Sequence, residues 1–438
     1  MDLKSKIKYT TIVNKYPSFR DETIKSCWRW LEGRQEDDNA EGYWRVHDKL
    51  YNLNDFIKNH PGGSEWIALS KGTDITEAFE SYHILPKATE VLKKFYVKDA
   101  DAPRNYKLTY EDNGFYRTLK RKVAEKLPSL DKSNLWKSKF VLDAIVCGFL
   151  VSSIMAIRVE WMLLKILFIL IASQCAAWMN AASHNFNHQR DSWRMYTANF
   201  VLIGWRDWRV FHGMSHHLYP NSYTDLEISA YEPHFHWIPV QSRSTLQILY
   251  SYVMTPLVYL LLFHTSFLSR YAGMVLAKTK IFHFDELLIL LPPALMFIFG
   301  NSSLTISNIT TIIYVWGIII MAGSFLYSLM AVNAGHHGYS IVHEGDEFKS
   351  LDFGIYQMGA TVDRKEANYN VAMSITHFGD HTLHHLFPSL DHALLPQLRE
   401  ILYETCKEFD LELRKWTLLH AAVEQFKQLA RTEVTTLD

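Results

Sequence analysis

The segment HFGDHTLHH, residues 377–385, decides the fold of this 438-residue chain. Its histidines follow one another at offsets of four, seven and eight residues, which place them on one stripe of an α-helix. Shorter clusters of the same character precede it: they read HNFNH at 184–188, HGMSHH at 212–217 and NAGHH at 333–337. Imidazole clusters without cysteine are typical of iron, zinc, copper and nickel sites. The sequence therefore predicts a metal-binding domain whose ligands come from distant parts of the chain.

The composition excludes several classes of protein. The 45 basic and 46 acidic side chains nearly cancel, whereas a nucleic-acid-binding protein needs a basic excess to neutralise phosphates. Hydrophobic residues make up 48% of the chain, which is too many for a disordered protein. The four cysteines are scattered, without a CxxC pair or the spacing of a secreted disulfide framework. We expect neither disulfide bridges nor a cysteine-based zinc site.

Apolar runs after residue 135 indicate a membrane protein. A bilayer core of ~30 Å requires about 20 apolar residues in a helix. Five runs approach this length, at 139–157, 161–182, 246–268, 285–300 and 309–332. Short polar links join the first two runs and the last two runs, so each of these pairs predicts a helical hairpin.

The histidine clusters limit how many of these runs cross the membrane. Clusters that share one metal centre must lie on one side of the bilayer, so an even number of crossings separates 212–217 from 333–337. We expect the run 246–268, which Pro256 and His264 interrupt, to be interfacial or re-entrant, because the basic stretch after it is best kept in the cytosol. That leaves four spans in two hairpins, with both termini in the cytosol.

A polar segment from 43 to 97 precedes the membrane half. It contains the turn signal HPGG at 60–63, and His83 follows His60 after 23 residues. Apolar and aromatic residues flank both histidines, and two neutral imidazoles that face each other across an apolar slot are what six-coordinate haem iron requires. On this pattern alone, a small α+β domain with two surface histidines remains an equal alternative.

The segment WRVHDKLYNLNDFIKNHPGG, followed by AFESYH, resembles the cytochrome b5 domain over about residues 40–98. The resemblance implies that His60 and His83 are the axial ligands of a haem b. A domain of this kind carries one electron at a time and does no chemistry on a substrate. It therefore implies an electron-accepting partner, in this chain or in another.

The number of histidines in the membrane half indicates more than one metal ion. Eight or more imidazoles beside membrane helices are costly to bury unless they bind something. Zinc takes about four ligands, so the set exceeds one zinc site. A redox-inactive metal would also leave a haem domain without an electron acceptor, whereas two irons would accept electrons. This coupling favours oxygen chemistry at a di-iron centre.

The order HxxxH, HxxxHH and HxxHH around two hairpins resembles the membrane fatty-acid desaturase and hydroxylase superfamily over about residues 135–400. The b5-like domain and the run HHLFPSLDHALLP are most similar to the front-end acyl desaturases, and the whole layout is most similar to the insect cytochrome b5-related protein group. The resemblance implies that two irons are bound by His184, His188, His212, His216, His217, His381, His384 and His385. An Asn-xxx-His element adds His337 as a ligand and Asn333 as a water-mediated one, and leaves His336 and His377 as outer or alternative ligands.

Two departures from the front-end pattern bear on the substrate rather than on metal binding. This chain has His381 where those enzymes usually have glutamine, and its second histidine cluster is one residue longer than their HxxHH. Histidine is a competent ligand, so the metal site is unaffected. The substrate and the position of reaction stay open.

The predicted fold is a small α+β cytochrome b5-like haem domain followed by an all-α membrane desaturase domain with a cytosolic, histidine-rich cap. We expect a multi-pass oxidoreductase of the endoplasmic reticulum membrane. It would take electrons from a cytochrome b5 reductase-type donor, activate O2, and desaturate the acyl chain of a lipid or an acyl-CoA. A fatty-acid or sphingolipid hydroxylase remains an alternative, as does a non-catalytic haem electron carrier with a desaturase-like membrane anchor. The predicted divisions are a cytosolic extension (1–39), the haem domain (40–98), a linker (99–135), the membrane domain (136–405) and a cytosolic tail (406–438).

Overall fold

A computed structural model describes residues 8–23, 25–239, 242–276, 283–329 and 335–436. Within these residues the α-helices are α1 (Cys27–Asp37), α2 (Ser64–Leu69), α3 (Thr76–Tyr82), α4 (Lys87–Leu92), α5 (Phe115–Lys126), α6 (Leu135–Arg158), α7 (Met162–Asn187), α8 (Trp205–Trp208), α9 (Leu226–Ser229), α10 (Thr245–Leu276), α11 (Leu291–Leu295), α12 (Ile306–Tyr327), α13 (Phe353–Ala360), α14 (Val371–His377), α15 (His381–Leu386), α16 (Arg399–Glu408) and α17 (Leu418–Ala430). The strands are β1 (Trp44–Val46), β2 (Lys49–Tyr51), β3 (Tyr96–Asp99), β4 (Asp363–Arg364) and β5 (Lys415–Trp416).

The front domain is built around an antiparallel sheet in which β2 lies between β1 and β3. The short helices α2, α3 and α4 lie between β2 and β3 in the chain. Trp44 in β1 is completely buried, and its indole N–H donates to the carbonyl of Ile67, 2.9 Å away, as a buried indole requires. This domain confirms the predicted small α+β fold.

Four of the described helices are long and apolar enough to cross a membrane: α6, α7, α10 and α12. The helix α7 packs against both α6 and α12. Phe149, Ile319 and Ile320 from those neighbours are buried in a shared apolar core, whereas Leu163 and Leu170 on α7 are more than half exposed. A continuous apolar outer surface is expected of helices that contact lipid. The structure thus has four candidate membrane helices among its described residues, and one of these candidates is a segment that the sequence does not predict to span.

The third candidate is α10, where the sequence predicts an interfacial segment. The run 285–300, which the sequence predicts to span, is divided into a 3₁₀ turn (Phe284–Leu290), α11 and a π-helical turn (Met296–Gly300). Pro292 and Pro293 lack the N–H groups that a continuous helix would use, which explains the division. No single piece of this run is long enough to be a spanning helix by itself.

Both ends of α10 contact segments outside the membrane helices. Near its start, the Tyr252 hydroxyl donates to the carbonyl of Phe426 in α17, 2.9 Å away. Near its end, Gly273 lies so close to Ser26 that a Cβ on the glycine would be 2.8 Å from the serine Cβ. Length and composition therefore make α10 a candidate span, while its contacts place its two ends beside the chain's N-terminal and C-terminal parts.

Residues 99–135, predicted to be a linker, contain α5 and are packed into the protein. One face of α5 carries Phe115, Tyr116 and Leu119, which are completely buried. The Tyr116 hydroxyl donates to the carbonyl of Glu80 in the front domain, 2.9 Å away. This segment therefore fixes the front domain against the membrane domain. Its many charged residues lie between the apolar positions and hide the helical periodicity in the sequence.

The chain ends cover the same side of the molecule. In α1, Trp30 is buried and donates from its indole N–H to the carbonyl of Thr224, 2.9 Å away. In α16, Leu402 and Cys406 are buried against the core that also holds α5. The strand β5 then pairs in parallel with β4. The predicted extension and tail are thus parts of the wall around the histidine clusters.

Candidate metal centre and haem pocket

Separate segments bring the histidines together at one end of the membrane helices. His184 lies near the carboxyl end of α7, and His188 caps that helix. The cluster at 212–217 follows from α8 as a π-helical segment, Arg209–His216, and the last cluster forms α15. The clusters, far apart in the chain, meet because α7, the π-helical segment and α15 pack at this end.

The π-helix explains the extra residue in the second histidine cluster. The N–H of His217 bonds to the carbonyl of His212, 2.8 Å away, so the turn spans five residues rather than four. In this wider turn residues five apart lie on one face, and the Nε2 atoms of His212 and His217 are 3.0 Å apart. Single π-helical turns occur frequently at functional sites.

The first cluster surrounds the Nε2 atom of His184. The Nε2 atoms of His212, His188 and His384 lie 2.7, 3.0 and 3.1 Å from it. His217 joins this group through its contact with His212. All five side chains are buried, so water cannot supply hydrogen bonds to their ring nitrogens.

The second cluster consists of His216, His336, His381 and His385. The Nε2 atom of His336 lies 3.0 Å from that of His216 and 2.6 Å from that of His381. The ring of His385 lies 4.7 Å from the ring of His336, and 4.0 Å from the ring of His217 in the first cluster. The two clusters therefore adjoin, as two neighbouring metal ions would require.

Hydrogen bonds behind the rings show that these nitrogens are suited to a cation. Nδ1 of His216 lies 2.9 Å from a carboxylate oxygen of Asp225, and Nδ1 of His336 lies 3.0 Å from the carbonyl of Ala360. Each acceptor holds a proton on Nδ1, so in the neutral rings Nε2 carries a lone pair. Two imidazoles bound to one metal ion at about 2.0–2.1 Å place their nitrogens about 3 Å apart, and the Nε2 atoms of His216 and His336 are 3.0 Å apart. The donor set fits a metal ion.

Carboxylates and burial set the charges of the rings. Burial lowers the pKa of His216, but the carboxylates of Glu227 and Asp225 outweigh it and raise that pKa to about 9. Burial, reinforced by the neighbouring imidazoles, holds the pKa of His217 and of His385 well below the usual range. The rings of His217 and His385 therefore stay neutral, and the neutral imidazole is the form that binds a metal.

The structure places His336, and not His337, among the converging histidines. The ring of His337 stacks on Trp237 with centroids 3.9 Å apart, and its Nδ1 lies 3.1 Å from Nε2 of His343. Gly335 directly precedes His336, and its backbone approaches His381 so closely that a Cβ would lie 2.8 Å from the ring nitrogen. Asn333, predicted to act through a water, lies outside the described residues.

His377 also lies apart from both clusters. Its Nδ1 is 2.9 Å from the hydroxyl of Thr376, and its ring lies at the edge of Trp178. The helix α14 ends at His377, and Phe378 and Asp380 then take positive φ angles before α15 begins. The stripe of offsets four, seven and eight therefore does not belong to one continuous helix, which removes His377 from it.

Two residues that the sequence analysis did not assign contribute to the site. Glu227 accepts a hydrogen bond from Nδ1 of His212 at 2.5 Å. His392 places its ring 4.5 Å from that of His384, and its Nε2 has no hydrogen-bond partner among the described residues. Its Nδ1 lies 2.9 Å from the side-chain oxygen of Asn185. His392 lies in the run HHLFPSLDHALLP, where a proline interrupts the spacing, so only proximity in the fold identifies it.

The predicted haem ligands face each other in the front domain. The rings of His60 and His83 have centroids 6.1 Å apart. Nδ1 of His60 lies 2.8 Å from the carbonyl of Gly63, and Nδ1 of His83 lies 3.0 Å from that of Phe79, so both Nε2 atoms are left to bind iron. Two imidazoles on opposite faces of one iron, each at about 2 Å, give centroids about 6 Å apart.

The space between these rings has the size and polarity of a cofactor pocket. The cavity has a volume of about 560 Å³, and its lining is largely apolar. Burial lowers the pKa of His83 to about 4, which keeps the imidazole neutral. The residues present fit a haem with two histidine ligands.

A second apolar cavity, of about 430 Å³, adjoins the first cluster. Glu227, which binds His212, forms part of its wall together with Trp208 and Tyr327. Its other lining residues are partly apolar, among them Cys27, Phe211, Leu262 and Phe263, and partly charged, namely Lys25, Asp207, Glu232 and Arg270. A cavity of this volume whose surface is largely apolar and carries some polar groups is typical of a ligand site.

The fold and these sites define a membrane metal-binding protein fused to a cytochrome b5-like domain. The family model described as "Fatty acid desaturase" matches residues 160–417, and the one described as "Cytochrome b5-like Heme/Steroid binding domain" matches residues 28–101. The chain belongs to the fatty acid desaturase family. The resemblance recognised from the histidine motifs is thereby confirmed.

Similar proteins share this arrangement over nearly their whole length. A protein of Drosophila melanogaster named "Cytochrome b5-related protein" is 39% identical over 97% of this chain and 96% of its own. The "Probable Delta(5) fatty acid desaturase C" of Dictyostelium discoideum is 25% identical over 91% of this chain and 93% of its own. The "Acyl-lipid (8-3)-desaturase" of Physcomitrium patens is 24% identical over 90% of this chain and 89% of its own. No solved structure matches the chain.

Proposed function

We propose that this protein is a fatty-acid desaturase that receives electrons through its haem and uses a di-iron centre and O2 to form a double bond in a lipid acyl chain. The observation that carries the proposal is the convergence of imidazole Nε2 atoms in two adjoining, buried clusters. Buried polar groups of this number are costly unless they bind a metal. Relatives named as acyl-lipid and Delta(5) desaturases support the same chemistry.

Each cluster holds one iron in this proposal. Bound iron supplies one-electron redox chemistry and the activation of O2. The chain's own residues orient the ligands: Glu227 fixes the ring of His212, and Asp225 fixes that of His216. Such outer carboxylates set the tautomer and raise the basicity of the ligand nitrogen. Asn333 remains a predicted water-mediated ligand.

The cavity beside the first cluster receives the acyl chain. Its largely apolar surface suits a hydrocarbon chain, and its wall includes Glu227 beside the proposed metal ligand His212. The protein contributes by holding one methylene pair of the acyl chain next to the metal centre. The entropy cost of bringing the two reactants together is then already met when the substrate binds. The substrate is the acyl chain of a phospholipid or of a coenzyme A thioester.

The membrane topology has two hairpins, α6 with α7, and the run 284–300 with α12. The broken run begins where Asp285 binds Arg206, 2.8 Å apart, on the side of the metal clusters. It ends at Gly300, where a Cβ would lie 2.9 Å from Ile157 at the far end of α6. It therefore traverses the same depth as α6, whereas both ends of α10 remain on the side of the clusters. We place the clusters, the haem domain and both termini in the cytosol, at the endoplasmic reticulum membrane, where a cytochrome b5 reductase-type enzyme donates electrons.

Lipid analysis after expression tests the proposal. The chain is expressed in a host without related desaturases, fatty acids of several lengths are supplied, and total lipids are analysed by mass spectrometry. We expect a new unsaturated acyl chain that disappears in His384→Ala and in His60→Ala. His420→Ala is the matched control, because this histidine is half exposed on α17 and belongs to neither site.

The outcomes separate the alternatives. A product that carries a hydroxyl group instead of a double bond would identify a hydroxylase. An unchanged lipid profile, from protein that contains both haem and non-haem iron, would contradict the desaturase proposal and favour an electron carrier. Unsaturated product that persists in His384→Ala would show that the first cluster does not hold the reacting metal.

A further inference from the structure

The cytochrome b5-like domain and the first cluster meet at Tyr82. This residue ends α3 and directly precedes His83. Its hydroxyl oxygen lies 2.7 Å from Nδ1 of His188, whose Nε2 points to His184 in the first cluster. The main-chain carbonyl of Tyr82 also accepts a hydrogen bond from the hydroxyl of Ser389, 3.0 Å away. One residue therefore contacts both redox sites.

The surroundings hold the Tyr82 ring in one orientation. Its ring lies 5.0 Å from that of Trp66, and the guanidinium of Arg209 lies 4.9 Å from the Trp66 centroid on the other side. Gly213, in the π-helical segment, leaves room for both rings, because a Cβ there would lie 2.7 Å from Trp66 and 3.3 Å from the Tyr82 hydroxyl. The phenol also points to the Gly213 carbonyl at 3.5 Å. This packing stabilises the contact between the front domain and the membrane domain.

From the other haem ligand, a longer route can be traced to the clusters through described residues. Nδ1 of His60 bonds to Gly63, and Gly63 packs against the carboxylate of Asp191. Asp191 binds Arg209 at 2.6 Å, and Arg209 donates to the carbonyl of Asn187 at 3.3 Å. This route crosses four non-covalent contacts before it reaches the residue next to His188. The route through Tyr82 crosses one.

We propose that Tyr82 is the positioning residue that couples the haem to the metal centre, through the covalent link from His83 and the hydrogen bond to His188. The inference rests on the proposed function, because it assigns haem to His60 and His83 and iron to the first cluster. It goes beyond that function by naming the contact through which the electron passes. The hydrogen bond also orients the imidazole of His188 toward His184.

The electron balance of this step is simple. One electron leaves ferrous haem iron, which becomes ferric, and enters a ferric ion held by the first cluster, which becomes ferrous. An external one-electron donor then reduces the haem again. The Tyr82 phenol is neither oxidised nor deprotonated in this step.

The test compares Tyr82→Phe with the wild-type full-length protein in detergent, each loaded with haem and two equivalents of iron. Tyr82→Phe removes only the hydroxyl. Tyr96→Phe is the matched control, because Tyr96 is a half-exposed tyrosine of the same domain whose hydroxyl contacts Asp99. The haem is reduced with dithionite without O2, and its reoxidation by the ferric centre is followed by stopped-flow absorbance. We expect reoxidation to slow by about 10–100-fold in Tyr82→Phe alone, with haem content and haem midpoint potential unchanged.

A second readout is independent of turnover. The visible spectrum of cobalt(II) in the clusters should shift in Tyr82→Phe and not in Tyr96→Phe, because the ligand His188 loses the partner on its other nitrogen. Equal reoxidation rates in Tyr82→Phe and wild type would overturn the inference while leaving the proposed function intact if lipid product still forms. A wild-type haem that the ferric centre never reoxidises would overturn both.

Discussion

Replacing His336 with alanine should remove one metal ion from the protein, whereas the same replacement of His337 should not. His336 presents its Nε2 to two histidines of the second cluster, at 3.0 and 2.6 Å. His337 instead stacks on Trp237 at 3.9 Å and contacts His343. The helical spacing of the Asn-xxx-His element favours the opposite result, so the pair of variants separates the geometry from the motif.

The size of each effect follows from what the side chain contacts. Loss of a partner behind a ligand already costs about 10–100-fold in metal affinity, so loss of the ligand His336 should cost at least as much. Non-haem iron should then fall from about two to about one per chain after gel filtration. For His337→Ala the loss is a stacked aromatic contact worth about 0.5–1.5 kcal/mol, which lowers the unfolding temperature and leaves the iron in place.

The assay is a colorimetric determination of non-haem iron on purified, haem-loaded protein, paired with a thermal unfolding curve. The reasoning would be refuted if His337→Ala lost iron while His336→Ala retained about two ions per chain. That result would mean that His336 moves away from the second cluster when iron binds.

Three further predictions concern other parts of the molecule. Asp225→Asn removes a carboxylate bonded to the second cluster, so chelator competition should show metal affinity lowered by about 10–100-fold; an unaltered affinity would contradict that role. Gly213→Ala would place a Cβ 2.7 Å from Trp66, and should lower the free energy of unfolding by about 1–3 kcal/mol in denaturant titration. Gly317→Ala is the control and should leave the free energy of unfolding unchanged, because a Cβ at Gly317 meets no atom within 4 Å. Equal losses of stability in the two variants would argue against the docked haem domain. Burial raises the pKa of Glu344 from 4.5 to about 7, so the folded protein retains a proton that the unfolded chain releases, and stability falls as pH rises across that interval. As the pH rises from 4 to 8, the free energy of unfolding of Glu344→Gln should therefore increase by about 3 kcal/mol relative to that of the wild type. Parallel curves of unfolding free energy against pH for the two proteins would contradict this prediction.

Local spacing predicts a ligand well where one helix carries the whole motif. His184 and His188 follow an i, i+4 pattern at the end of α7, and the structure brings their Nε2 atoms within 3.0 Å. The longer second cluster was predicted by the same rule, and a π-helical turn accommodates its extra residue. His60 and His83 were predicted as a pair through the resemblance to the cytochrome b5 domain, and the structure places their rings 6.1 Å apart.

Spacing fails where the chain changes direction or where charge hides a pattern. The structure places His336 rather than His337 in the second cluster, and no offset in the sequence encodes that choice. The segment with α5 was predicted to be a linker because it is charged and poorly patterned, yet Phe115 and Leu119 are completely buried. His392 approaches the first cluster only because its Nδ1 binds Asn185, which is distant in the chain.

The packing of the front domain has a consequence for how electrons are supplied. Arg104, in the segment predicted to be a linker, binds Asp74 and Glu77 of the haem domain, and both carboxylates are completely shielded from solvent. Breaking a buried ion pair of this kind costs about 3–5 kcal/mol, so the domain is held in one orientation and does not swing on a tether. In that orientation Tyr82 occupies the side of the haem pocket that faces the metal centre. Leu85 lines the same pocket and is half exposed, so under the proposed function this exposed part of the pocket is where an external donor would deliver electrons. If electrons enter at this exposed part and leave through Tyr82 as proposed, the domain need not undock between successive electrons.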